Sequence, residues 1–435
     1  MKKKAALLAL ALFIVGWPGK TGAEPANLQR TIDEAPANSE VRLAAGTYKG
    51  PLVIDKPITI IGGKGVVIDG QKNGTVITVE ADHVSISGLT IKKSGKGAQE
   101  AGLLLKKVKQ AKIKNNRFDN VQYGIYIRGG GRHVITGNTI SSYTGHFSTR
   151  GNGIHLLSTN ENKLTNNTIK QVQDGVYIDD SSDNLLKGNR ISDSRYALHF
   201  MFSDQNRAES NQLSNNITGI MAMNSSGIQI EGNRLEQHVN YRGYGVLIYE
   251  TEDVQLLRNK VLYNHNGLSL QTAKAVLMEE NEIAGNYIGI TTEGENREIQ
   301  MRKNRMEGNL IQTKLSGQPF FLDDGQSGNY WDDYRSYDLD GDGIGEVPYK
   351  SAAGYSQLLY RYPHLQFYFE SPAIHVWQSV EKLFSLKGEE DGTDRYPLVT
   401  NVRKEAPSYM SLLFICGGAA GGLLYFIQQR RRRET

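Results

Sequence analysis

A repeat of about 22 residues runs through most of this chain and constrains its fold more than any other feature. Asparagines recur at Asn116, Asn138, Asn167, Asn189, Asn211, Asn233, Asn259, Asn281 and Asn304, at intervals of 22, 29, 22, 22, 22, 26, 22 and 23 residues. A small residue keeps step with them at Gly153, Gly175, Ala197, Gly219, Gly245, Gly267 and Gly289. After each small residue the first and third positions are apolar: Ile154 and Leu156, Val176 and Ile178, Leu198 and Phe200, Ile220 and Ala222. Alternation of period two marks a strand with one buried face, and no row has room for the ten residues a helix needs. Units this short cannot bury an apolar face alone, so each must stack on the next. The fold class is all-β: a right-handed parallel β-helix with rows of about 22 residues, spanning residues 24–316.

A second strand is expected around each asparagine, with inward residues three before and two after it, such as Leu186 and Ile191. Asparagine tolerates left-handed backbone and its amide bonds to neighbouring turns, so one per row forms an internal ladder. Two rows are enlarged, around Ser141–Arg150 and near His238–Arg242, and insertions in a solenoid become outside loops. Val41–Val79 reads as less regular early rows, and Ala26–Glu34 as a capping helix. His133, His238 and His265 stand alone in the pattern and read as surface or turn residues.

Equal spacing also stacks the outward positions. The second position of each strand holds His155, Tyr177, His199, Met221, Leu247, Ser269 and Thr291; the fourth holds Leu157, Asp179, Met201, Met223, Tyr249, Gln271 and Glu293. Neighbouring strands lie about 4.8 Å apart and alternate residues about 6.6 Å apart. His199, Met201, Met221 and Met223 thus occupy the corners of one small rectangle, with His155 two coils away across Tyr177. Thioethers and an imidazole at that separation suit a soft ion, Cu(I) above all; the bland alternative is an apolar docking patch. Met278, Met301 and Met306 fall on inward positions and are core. Asp179-Asp180 is the best acidic pair, but no acidic stack flanks it, so no enzyme activity is expected.

The ends of the chain read differently. Met1-Lys-Lys-Lys, the apolar run Ala5–Val15 and the exit Thr21-Gly22-Ala23 describe a signal peptide over residues 1–23. Tyr409–Ile427 is uncharged and is followed by Arg430–Arg433. Residues 408–428 are therefore expected to cross the membrane once, with a cytoplasmic basic tail over 429–435 and the β-helix outside. The single cysteine, Cys416, falls in that span, which excludes a disulfide framework. The formal +4 of the whole chain also belongs to its ends. Without the four N-terminal lysines and the Arg430–Glu434 tail, the remainder is about −3, and no nucleic-acid partner is expected.

Residues 317–407 read as a C-terminal cap, an acidic loop, a helix and a linker. Asp338, Asp340, Asp342 and Glu346 follow the spacing of a calcium loop, but Tyr349 stands where the bidentate glutamate belongs, which excludes a standard EF-hand. Calcium or an acidic turn are the alternatives. Ser371-Pro372 starts an amphipathic helix running to about Phe384, and Gly388–Asp394 reads as a linker towards the membrane.

Three features together resemble one family: the 22-residue rows, Tyr196-Ala-Leu-His-Phe-Met-Phe-Ser203, and Asn329-Tyr-Trp-Asp-Asp-Tyr followed by Asp338-Leu-Asp-Gly-Asp-Gly-Ile-Gly. They resemble NosD, the maturation protein of nitrous oxide reductase, over nearly all of the chain between the signal and about residue 400. The resemblance implies an exported, non-enzymatic factor that assists copper delivery and copper-site assembly. Its implied partners are an ABC transporter's ATPase and permease, a copper chaperone and apo nitrous oxide reductase. His199 and Met201 fall on the family's His-x-Met pattern. The membrane span departs from the soluble periplasmic form associated with the family. The alternative from a different class is a surface-anchored β-helix that binds or cleaves polysaccharide, which a row of aromatics or carboxylates along one groove would favour.

Overall fold

The computed structural model describes residues 27–316, 320–351 and 392–399. The expected signal peptide, the helix from Ser371, the span with Cys416 and the basic tail all lie outside the described residues. Among the described residues, no helix is long and apolar enough to cross a membrane.

Each row of the sequence makes one coil with three strands, and the coils stack into three parallel sheets of 12, 13 and 12 strands. A typical coil runs Leu185–Lys187, Arg190–Ser192 and Tyr196–Met201, each paired in parallel with the strand one coil away. This is the right-handed parallel β-helix the repeat implies. The segment around each asparagine differs from expectation: it is two strands in two sheets, with the asparagine at the corner between them. The physical reason is the residue just before it, which takes a left-handed backbone: φ is 54° at Asn166, 65° at Gly188, 53° at Ser210 and 61° at Gly232. A strand cannot continue through that conformation, so the chain turns.

The corner asparagines form the expected ladder, and all are buried. Asn189 Oδ1 accepts from Asn167 N at 3.0 Å and from Asn167 Nδ2 at 3.0 Å, while its own Nδ2 donates to Leu164 O at 2.9 Å. The ladder continues to Asn329, which donates its backbone N–H to Asp394 Oδ2 at 2.8 Å. The other two corners carry ladders that the sequence pattern did not reveal. Asn162, Asn184 and Asn206 line one corner; Asn216, Asn264, Asn286 and Asn309 line the other.

His133 and His238 belong to these ladders: they stand at turns between strands, as one half of their reading has it, but they are not at the surface. Both are fully buried at corners. His133 Nδ1 accepts from Ala111 N, and His238 Nδ1 accepts from Asn216 N, each at 3.1 Å. The physical reason is that the imidazole Nδ1 reaches the same backbone N–H that an asparagine Oδ1 serves elsewhere. His265 is half-buried, against the Tyr287 ring at 5.0 Å.

The glycine marker reflects close approach between coils. A Cβ at Gly245 would lie 2.5 Å from Gly267 O and 2.5 Å from Val261 Cγ1. Gly245→Ala is therefore expected to lower stability by about 1–3 kcal/mol through forced backbone movement. An unchanged denaturation midpoint would contradict that packing.

A short helix α1 (Leu28–Glu34) closes the N-terminal end, burying Leu28 and Ile32 and capped by Asn27. At the other end the helical sheets run past Ser316, because Tyr330–Trp331 adds a strand to the 13-stranded sheet. The expected linker also needs correction at its end. Thr393–Asp394 pairs antiparallel with Tyr349–Lys350, and Asp394 is fully buried. Its carboxylate accepts from Asn329, from Trp331 Nε1 at 2.9 Å and from Tyr396 N at 3.0 Å. The last rung of the ladder needs an acceptor, and Asp394 supplies one. Burial raises the Asp394 pKa despite these bonds.

Candidate functional site

The strands after the glycine marker form one continuous outer face, and their register is the one that equal spacing requires. His155 pairs with Tyr177, Tyr177 with His199, His199 with Met221 and Met221 with Leu247. Along the next row Leu157 pairs with Asp179, Asp179 with Met201 and Met201 with Met223. His199, Met201, Met221 and Met223 are thus mutual neighbours on two adjacent strands. Met278, Met301 and Met306 are fully buried inside the helix, as core.

Outward here does not mean exposed. His199 is 6% exposed and Met221 8%, while Met201 and Met223 are half-buried. Aromatic rings provide much of the cover. Tyr177 lies between the two imidazoles, with its centroid 4.8 Å from His155 and 4.7 Å from His199. Tyr196 meets His199 edge-on at 5.0 Å, and Tyr126 packs on His155 at 4.8 Å. The Tyr177 ring therefore separates His155 from the methionine pairs, and the structure does not bring His155 into their cluster.

A carboxylate that the sequence reading missed orients the central imidazole. Asp174, 1% exposed, accepts from His199 Nδ1 at 3.1 Å. Arg195 grips the same carboxylate through Nε at 2.8 Å and Nη2 at 2.6 Å. Burial works to raise the Asp174 pKa, but the bonds and charges of Arg195 and His199 outweigh it and the net shift is downward. An ionised Asp174 accepts from Nδ1–H of His199 and so fixes Nε2 as the nitrogen that can offer a lone pair. That Nε2 is buried and has no hydrogen-bond partner. A buried, unpaired imidazole nitrogen with its tautomer set by a carboxylate is the arrangement of a metal-ligating histidine. The signal for Asp174 was present one step before the glycine marker, where it shares a row with Tyr196 and Thr218.

His155 also has an unpaired buried Nε2, with Nδ1 facing the Asn152 amide at 3.3 Å. Burial pushes its pKa down to about 4. Tyr177 directs its hydroxyl at Met201, with Oη to Sδ at 3.1 Å. Burial, then Asp179 and Asp174, push the Tyr177 pKa up to about 12, so the phenol keeps its proton at neutral pH.

The acidic loop brings together part of its expected set. Carboxylate oxygens of Asp338, Asp340 and Asp342 lie within 4.8 Å of one another, without Glu346. Asp338 accepts from Gly341 N and Gly343 N, and Glu346 accepts from Leu339 N. Tyr349 is buried and stacked on Trp331 at 4.3 Å, so no carboxylate completes the loop.

Among solved structures, the chain resembles mannuronan C-5 epimerase modules of Azotobacter vinelandii. The AlgE6 A-module matches with a TM-score of 0.55 at 13% identity, over 69% of this chain and 92% of the module. The AlgE4 A-module matches with a TM-score of 0.50 at 14% identity, over 68% and 93%. At such identities the likeness shows a shared β-helix fold. A model of a protein family of unknown function matches residues 50–194. A second family model, described as periplasmic copper-binding protein NosD, matches residues 139–336, which include the whole His/Met cluster. A probable ABC transporter binding protein NosD of Pseudomonas aeruginosa is 30% identical over 124 residues, 28% of this chain and 29% of the relative. The protein of the same description from Stutzerimonas stutzeri is 32% identical over 416 residues, which is 91% of this chain and 94% of the relative. A match that runs through nearly the whole of both sequences places this chain in the NosD family.

Proposed function

We propose that this protein is an exported accessory factor, not an enzyme, that handles Cu(I) as cargo for the assembly of nitrous oxide reductase. An ABC transporter is its partner, as the relatives' description suggests. A copper chaperone and the apo-enzyme are the further partners the family resemblance implies. The membrane tether and the signal peptide rest on the sequence of the two ends. The observation that carries the reading is His199 Nε2: buried, unpaired, and set beside three methionines in register. That nitrogen together with the thioethers of Met201, Met221 and Met223 is a donor set suited to a soft monovalent ion. The extracytoplasmic chemistry needs no thiol, in keeping with a chain whose one cysteine is Cys416. We give the acidic loop no calcium role, because Glu346 stands apart from the three aspartates and Tyr349 occupies the place of a bidentate glutamate.

Anaerobic titration against a competing Cu(I) chelator tests the reading. Replacing Met201, Met221 and Met223 together by leucine keeps volume and apolar character. It is expected to abolish Cu(I) binding while leaving the circular dichroism spectrum and melting temperature essentially unchanged. Unaltered copper stoichiometry in that variant would sink the proposed ligand set.

One observation favours a second reading. Tyr123, Tyr126, Tyr177 and Tyr196 lie with two imidazoles along one face, as a carbohydrate platform would. Against catalysis, Asp174 is buried and gripped by Arg195, so it cannot serve as an acid or base towards a polymer outside. Saturable binding of an acidic polysaccharide, with no effect of the triple methionine replacement, would favour this alternative.

A further inference from the structure

The proposed copper cluster has an unexplained feature: one of its sulfur ligands already has a partner. The Tyr177 hydroxyl donates to Met201 Sδ at 3.1 Å. A hydrogen bond draws on the same lone-pair density that a thioether offers to a metal, so it weakens Met201 as a donor. The Tyr177 ring is confined, because His155 and His199 flank it on the two neighbouring strands. The hydroxyl has a second acceptor in reach. Asp179, two residues along the same strand and the strand partner of Met201, lies close enough to raise the Tyr177 pKa. One phenolic proton therefore has a thioether as its acceptor and a carboxylate nearby.

We infer that Tyr177 is a latch that sets the affinity of the copper site. With the hydroxyl turned to Met201, that sulfur is engaged and the ion is held weakly enough to leave. With the hydroxyl turned to Asp179, the sulfur is free and the site holds its ion more tightly. A carrier that must both capture and surrender Cu(I) needs two such states, and rotation of one hydroxyl provides them without moving the backbone. Tyr177 then acts through Met201 and is a positioning residue, not itself a ligand. A phenol O–H that donates to a thioether is a poor metal donor.

The inference rests on the copper reading, and the test separates the two. Cu(I) is titrated anaerobically into the full chain with a competing chelator, and release to a thiol acceptor is timed. Tyr177→Phe keeps the ring and removes the hydroxyl; it is expected to tighten Cu(I) binding roughly 3- to 10-fold, the worth of one modest hydrogen bond, and to slow release. Asp179→Ala removes the alternative acceptor, holds the proton on Met201 and is expected to weaken binding by a similar factor. In a Met201→Leu background both effects should vanish. Opposite signs in the two variants are something a merely structural tyrosine would not produce. Unchanged or weaker binding in Tyr177→Phe, while the triple methionine replacement still abolishes binding, overturns the latch alone. Full Cu(I) binding by the triple methionine variant overturns both.

Discussion

Asn189→Ala is expected to lower the stability of the β-helix by about 3–5 kcal/mol, far more than an ordinary polar-to-alanine change. The side chain is buried and does three things at once. Its Oδ1 satisfies Asn167 N and Asn167 Nδ2, and its Nδ2 satisfies Leu164 O. Truncation leaves the Asn167 backbone donor unpaired in a dry corner, costing about 1–3 kcal/mol, and removes three further bonds, to Asn167 Nδ2, Leu164 O and Asn211 Oδ1, worth about 0.5–1.5 kcal/mol each. Water has little access, because Asn167 and Asn211 lie directly above and below and are equally buried. The check is the chemical-denaturation midpoint measured beside Lys187→Ala. Lys187 lies on a neighbouring strand, where its ammonium is half-exposed in an ion pair with Glu209 that contributes little. A loss for Asn189→Ala no larger than that for Lys187→Ala would mean the ladder is not a stabilising element.

Acid is the second large lever. His133 and His238 each have a pKa pushed down by burial from 6.5 to about 4. Below the unfolded value near 6.5, the unfolded chain takes up a proton that the folded chain refuses. More protons bound in the unfolded state means that stability rises with pH, so acid removes it. Each histidine is expected to withdraw about 2–3 kcal/mol as pH falls from 7 to 4.5, with no further loss from it below about 4. Carboxylates titrate over part of the same window, so the comparison matters more than the curve. Replacing both histidines by asparagine, the residue that fills equivalent rungs elsewhere, is expected to flatten the pH profile between 6.5 and 4.5. Asparagine also removes the buried Nε2 atoms, which have no hydrogen-bond partners. Parallel pH profiles for the two proteins would refute the assignment of these groups.

Much of the candidate site was legible because a solenoid turns sequence spacing directly into space. Met201 and Met223 are 22 residues apart and are strand partners; so are His199 and Met221. The same property exposed the inward methionines as core. Asp174 escaped notice because it reaches His199 on the diagonal, from one strand to a different row on the next. Register alone predicts neighbours directly across, not the direction in which a side chain leans. The Tyr177–Met201 bond escaped for the same reason. His133 and His238 were not seen as buried because the corner ladders they join mix residue types: Ala111, His133 and Asn162 on one, and Ser194, Asn216, His238 and Asn264 on the other.

The sequence by itself determined the coil: its length, its register, which residues face inward and which share an outer row. It could do so because parallel pairing at one fixed period leaves each strand a single partner set and no freedom of topology. Only the tertiary structure decided how many sheets a coil makes, since one left-handed residue before each asparagine splits a continuous apolar pattern into two strands. Only there, too, does Asp394 prove to close the ladder from more than sixty residues away. The same holds for the orientation of His199, which depends on a buried carboxylate of the neighbouring coil, itself held by Arg195 of the same coil as His199. Local periodicity sets the scaffold; hydrogen bonds between side chains on different coils set what one face of it can hold.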